Sequence, residues 1–274
     1  MSKLTSHGYI AIVELIIYTI ALVTSTVSCL RYGFKRQAGW IYLSIFCILR
    51  LLASALVIVV EKSSEPSTGM VVTAMIVSNI ALTPLHLSLL GFLTTSARLA
   101  LGNNLPNILT KPLHFCRLAL LTAIVLGIVG GVELSQNNPP QTASTLPRVS
   151  IVLIIVVFAI LTLFALYFLG FAQLRSHSRI LTLGITVALP FLLVRIMYSL
   201  LNAFASSTAN NFNSLTGSWT IYLAMDVIME FVVVTVLSAT GYLLHIYSAK
   251  NETTDMEPPY AHELAHVRNK EDYE

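Results

Sequence analysis

Charge is scarce in this sequence: Asp, Glu, Lys and Arg make up 11% of its 274 residues, against roughly a quarter in soluble domains. A chain so poor in charge cannot cover a water-facing surface, which excludes an ordinary soluble domain. Cysteine is scarce too. Cys29, Cys47 and Cys116 lie within or at the end of apolar runs, at no metal or redox spacing, and read as small buried hydrophobes. No G-x-S-x-G, H-E-x-x-H or C-x-x-C run, no Gly-rich phosphate loop and no internal repeat occurs. Serine-nucleophile and metal chemistry are therefore disfavoured, and neither a metal nor a cofactor is expected. The net charge of +3 is spread over short segments, which excludes a nucleic-acid surface.

What is present is apolar length. Hydrophobic residues make up 55% of the chain, and the mean hydropathy is +0.78. Runs of spanning length occur at about 9–30, 39–60, 70–95, 114–134, 148–172, 180–204 and 218–247. Only helices or closed barrels satisfy the backbone in lipid, and these runs are too long for barrel strands. The first run contains Glu14 and has no small-residue cleavage site after it, so it reads as a span rather than a signal peptide. The expected fold is all-α: a polytopic seven-helix bundle over 1–248, followed by a disordered tail over 249–274. Arg31, Lys35, Arg36, Arg98, Lys111, Arg175, Arg179 and Lys250 all fall in alternate connections, whereas the others hold only Lys62 and Arg148. That alternation predicts an outside N-terminus and a cytosolic C-terminus.

Five ionisable residues lie where lipid should forbid them: Glu14, Arg50, Arg195, Asp226 and Glu230. Each costs at least about 2.5–3.5 kcal/mol to insert and asks for a partner or a role. Trp219, Tyr222, Asp226 and Glu230 recur every three or four residues, as do Arg195, Tyr198, Ser199 and Asn202, and a shorter stripe runs through Asn79, Thr83 and His86. Such spacing puts each set on one helical face. The expectation is one polar pocket in the outer half of the bundle. The bland alternative is a set of ion pairs that lock the helices. Three carboxylates face two guanidiniums, and an acid left over without a cation favours its neutral form. Asp226 or Glu230 is then the candidate proton donor, with Glu14 a possible base. Pro84 and Pro190 are expected to kink two of the striped helices. His86 is expected to make an interhelical hydrogen bond. Gly127, Gly130 and Gly131 should form a close-packing surface, and Trp40 should anchor at the membrane interface.

The segments LPFLLVRIMYSLLNAF (189–204) and GSWTIYLAMDVIMEFVVV (217–234) resemble a largely uncharacterised family of fungal seven-helix membrane proteins. That resemblance implies a fungal origin and an endomembrane or plasma-membrane location. The Arg-x-x-aromatic pattern at Arg195 and Tyr198 is similar to one in fungal lipid-translocating exporters, although their second arginine and following glutamate are missing. In size, helix number and intramembrane acids the chain also resembles the integral-membrane terpene cyclases of fungal meroterpenoid pathways, without their Asn-x-x-Trp-Glu pattern.

Two functions follow as expectations. In the first, the protein is a cyclase or isomerase acting on a lipophilic prenylated substrate drawn from the bilayer. Asp226 or Glu230 would donate the proton, Tyr198, Tyr222 and Trp219 would stabilise the carbocation, and Arg50, Asn79, His86, Arg195 and Asn202 would complete the substrate site. In the second, the same residues bind a lipid or small molecule for transport. A receptor ranks last, because short inner segments such as QLRSHSR offer little surface to a protein partner.

Overall fold

The computed structural model describes residues 5–32, 38–63, 67–101, 107–134, 136, 143–170, 176–204 and 217–255, and every regular element among them is a helix. Seven helices are long and apolar enough to cross a membrane, at Ser6–Leu30, Gly39–Lys62, Gly69–Leu101, Leu109–Leu134, Thr145–Gly170, Ser178–Phe204 and Trp219–Leu243. The start of the first span, at Thr5, lies against Glu61 at the end of the second, and that end of the bundle is termed upper.

Five spans are single helices: α1 (Ser6–Tyr32), α2 (Ala38–Lys62), α5 (Asn107–Leu134), α6 (Thr145–Gly170) and α7 (Ser176–Phe204). The third is divided into α3 (Thr68–Ile80) and α4 (Leu82–Leu101) around Ala81. Pro84, in the first turn of α4, has no N–H for the Ile80 carbonyl and crowds it, so the ladder breaks just before the proline. Pro190, by contrast, sits inside an unbroken α7. The seventh span starts as α8 (Trp219–Tyr222), widens into a π-helical segment at Leu223–Ile228 and continues as α9 (Met229–Asp255). Helix α9 runs beyond the expected end of the bundle at 248. The rest of the expected tail, 256–274, lies outside the described residues, as do Lys35, Arg36 and Arg175.

The lower half is packed tightly by small residues. A Cβ at Gly39 would lie 3.0 Å from the Phe92 ring, and one at Gly241 or Gly184 would overlap the Trp40 ring or the Thr240 side chain. Trp40 is therefore not an interface anchor. It is 1% exposed and stands edge-on to Phe92 with ring centroids 5.1 Å apart. Ser96 of α4 meets the hydroxyls of Ser178 and Thr182 of α7 at 2.9 and 2.7 Å. The three cysteines are buried and free.

The upper half packs less evenly. A Cβ at Gly130 would come within 2.6 Å of Pro147 of α6, and one at Gly131 would overlap Ile76 of α3. These two glycines do form the expected close-packing surface. Gly127 does not, since its Cβ would meet only the Ser150 hydroxyl at 3.6 Å.

Candidate functional site

The upper half holds two polar features that meet at α7. The first is an ion cluster between α2, α7 and the seventh span. Spacings of four put Tyr222, Asp226 and Glu230 in line, and the π segment around Asp226 helps to keep them so: a turn closed by i→i+5 bonds holds more residues than an α turn, which offsets the drift of a four-residue repeat. Arg50 Nη2 lies 2.8 Å from Asp226 Oδ2 and also contacts Glu230 Oε2, which accepts from Arg50 Nε as well. Arg195 Nε donates to Glu230 Oε1 at 2.6 Å. It is also 2.6 Å from Asp226 Oδ1, but there the N–H is misaligned, and Oδ1 has no hydrogen bond. The Glu230 contact is therefore the hydrogen bond, and the Asp226 contact is purely ionic. Arg195 Nη1 donates to Ser199. All four charged side chains are at most 2% exposed.

Two guanidiniums and two carboxylates thus cancel. Asp226 and Glu230, the two expected proton donors, each contact both arginines. The acid left outside the cluster is Glu14. Among the described residues it has no cation within ion-pairing distance; its oxygens accept from Ser54 at 2.6 Å and Tyr222 at 2.9 Å. Tyr18 closes the cluster from α1, donating to Glu230 at 3.4 Å beneath the Arg50 guanidinium. Tyr198 lies under the Arg195 guanidinium, 5.6 Å from ring centroid to charge, and 6.5 Å from the Tyr222 ring.

The second feature is a cavity of about 290 Å³ framed by α3, α4, α5, α6 and α7. Its walls are mainly aliphatic, including Ile76, Ile124, Ile151 and Ile154, and its polar lining includes Asn79, Ser199, Asn202 and Arg148. Neither Glu14, Arg50, Arg195, Asp226 nor Glu230 lines it. Ser199 joins the two features, since its hydroxyl accepts from Arg195 and also borders the cavity. The single pocket expected from the sequence is therefore two sites that share one helix.

The remaining expected site residues divide accordingly. Asn79 and Asn202 line the cavity. Trp219, the first residue of α8, is 48% exposed and lines neither feature. His86 is fully buried against Phe158. Its hydrogen bond is intrahelical rather than interhelical, with Nδ1 donating to the Leu82 carbonyl at 2.9 Å. Nδ1 must carry the proton to make that bond, which leaves Nε2 as an acceptor, and it has no partner among the described residues. Among the described residues no group of three or more His, Cys, Asp or Glu side chains is arranged to hold a metal ion.

The cavity and Arg148 at its rim were not foreseen from the sequence. The available signal was Arg148 itself, one of only two basic residues in its set of alternate connections.

The profile of a protein family described as a domain of unknown function (DUF7702) matches residues 4–246. No curated protein and no solved structure matches the chain.

Proposed function

We propose that this chain, which belongs to the DUF7702 family, is a multi-pass membrane protein that takes a lipophilic amphiphile from the bilayer into the upper cavity and carries it across, as a lipid-translocating exporter or small-molecule transporter does. One observation carries this reading: a cavity of about 290 Å³ with mainly aliphatic walls and a few polar groups, built from four spans, close to the smallest common ligand sites of about 300 Å³. The upper end faces outward in this reading, because the basic connections lie at the lower end. The membrane is the endoplasmic reticulum or the plasma membrane. The ion cluster then ties α7, one wall of the cavity, to α2 and α9, and Ser199 couples its geometry to the ligand.

The test is transbilayer movement of a fluorescent single-chain lipid in liposomes containing the purified protein. Movement faster than in protein-free liposomes, lost in Gly127→Leu, supports carriage. An unchanged rate in wild type refutes it.

Acid-initiated cyclisation of a prenylated substrate is the second reading, and the position of Glu14 favours it. This third acid is held by two hydroxyls, one of them that of Tyr222, whose ring lies 6.5 Å from that of Tyr198, and the π faces of both suit a carbocation. The donor in this reading is Glu14 rather than Asp226 or Glu230. Incubating membranes with a prenylated epoxide tests it: a cyclised isomer of unchanged mass, absent in Glu14→Gln, is the expected product, and its absence in wild type rejects the reading.

A further inference from the structure

We infer that the cavity's ligand is a single-chain amphiphile with an anionic oxygen headgroup, a carboxylate or phosphate monoester, held by Arg148. The inference rests on the cavity being the ligand site proposed above.

Arg148 lies in the first turn of α6 and is half-buried at the cavity rim. Its Nε donates to the Ala203 carbonyl at 3.2 Å, and its guanidinium carbon sits 5.4 Å from the Phe204 ring centroid. Two consecutive residues at the end of α7 thus fix the plane and the heading of the guanidinium. Among the described residues its terminal nitrogens make no hydrogen bond, and no carboxylate lies within ion-pairing distance. No carboxylate lines the cavity either.

A guanidinium held in one orientation with its outer N–H groups unclaimed matches the two-oxygen edge of a carboxylate or phosphate. Ser144 and Asn202 are further polar groups in the lining beside it. Away from Arg148 the walls are mainly aliphatic at Ile76, Ile124, Ile151 and Ile154 and carry no charged group, which suits a hydrocarbon chain. The volume of about 290 Å³ is at the low end for ligand sites, so one chain fits better than the two of a bilayer phospholipid.

The test is photolabelling of the full chain in nanodiscs with three diazirine probes of equal chain length: a fatty carboxylate, a lysophosphatidate and a fatty alcohol. In wild type at least one anionic probe should label about tenfold more than the alcohol, the factor expected from one charge-assisted hydrogen bond. Comparing the two anions identifies the headgroup. Arg148→Gln should remove that preference and leave alcohol labelling unchanged, while Arg148→Lys keeps part of it. Gly127→Leu should block all three probes. Equal labelling of wild type by all probes overturns the headgroup assignment and needs no variant to be folded; an anion preference that survives Arg148→Gln overturns it too. In both cases the cavity reading survives if Gly127→Leu still blocks labelling. Labelling that is indifferent to Gly127→Leu overturns the cavity reading as well.

Discussion

Replacing Glu230 and Glu14 in turn by glutamine separates the two carboxylate environments. Glu230 contacts both Arg50 and Arg195, so its amide leaves two buried guanidiniums facing Asp226 alone. Breaking a buried ion pair from one side costs about 3–5 kcal/mol, because the surviving charge stays desolvated. Glu14 binds only the hydroxyls of Ser54 and Tyr222. Its amide keeps one acceptor oxygen and strands one hydroxyl hydrogen, at a cost of about 1 kcal/mol. The assay is thermal unfolding in one detergent, followed by helical circular dichroism. At about 2–4 °C per kcal/mol for a large domain, Glu230→Gln should lower Tm by about 6–20 °C and Glu14→Gln by about 2–4 °C. Adding Arg50→Gln to Glu230→Gln restores charge balance and should return about 0.5–3 kcal/mol through coupling. Equal losses in the two single variants, or a double variant as unstable as the sum of its parts, would refute the division into a paired cluster and a separate acid.

Two further outcomes check the packing and the topology. Gly130→Ala should cost about 1–3 kcal/mol by overpacking against Pro147, whereas Gly127→Ala should leave Tm unchanged; similar Tm values for the two would contradict the close approach of α5 and α6. In a background with Cys29, Cys47 and Cys116 changed to alanine, Ser63→Cys should react with an impermeant maleimide in intact cells. Arg98→Cys should react only after permeabilisation, and the reverse pattern would invert the proposed orientation.

The seven spans were legible because lipid imposes a length rule that local composition satisfies residue by residue. Arg50, Arg195, Asp226 and Glu230 were legible as a group for the same reason, since charges in lipid have nowhere to go but toward each other. Which acid stood apart was not legible. Pairing depends on how each helix is rotated about its axis, and a π turn inside the seventh span changes that rotation in a way no spacing count includes. Trp219 failed for a simpler reason: it opens the span three residues before Tyr222, about 60° round the helix, and its ring is 48% exposed. His86 failed differently, because its nearest acceptor was its own helix's Leu82 carbonyl. The cavity was invisible because a void is a property of what five helices leave between them. Gly127 and Gly130 look alike in sequence, yet one borders empty space and the other touches a proline ring.

The Ser96, Ser178 and Thr182 hydroxyls acquire a mechanical meaning from where they sit. They pin α4 to α7 near the lower end, and the same two helices part around the cavity above, at Thr83 and Ser199. At 1.5 Å per residue, the stretch of α7 between Ser178 and Ser199 is a lever of about 30 Å. A tilt of about 6° around this serine fulcrum displaces the rim by about 3 Å. In the transport reading proposed above, the bond from Arg148 to the Ala203 carbonyl would carry the top of α6 with that lever and couple admission of a chain to movement of the cation that holds it.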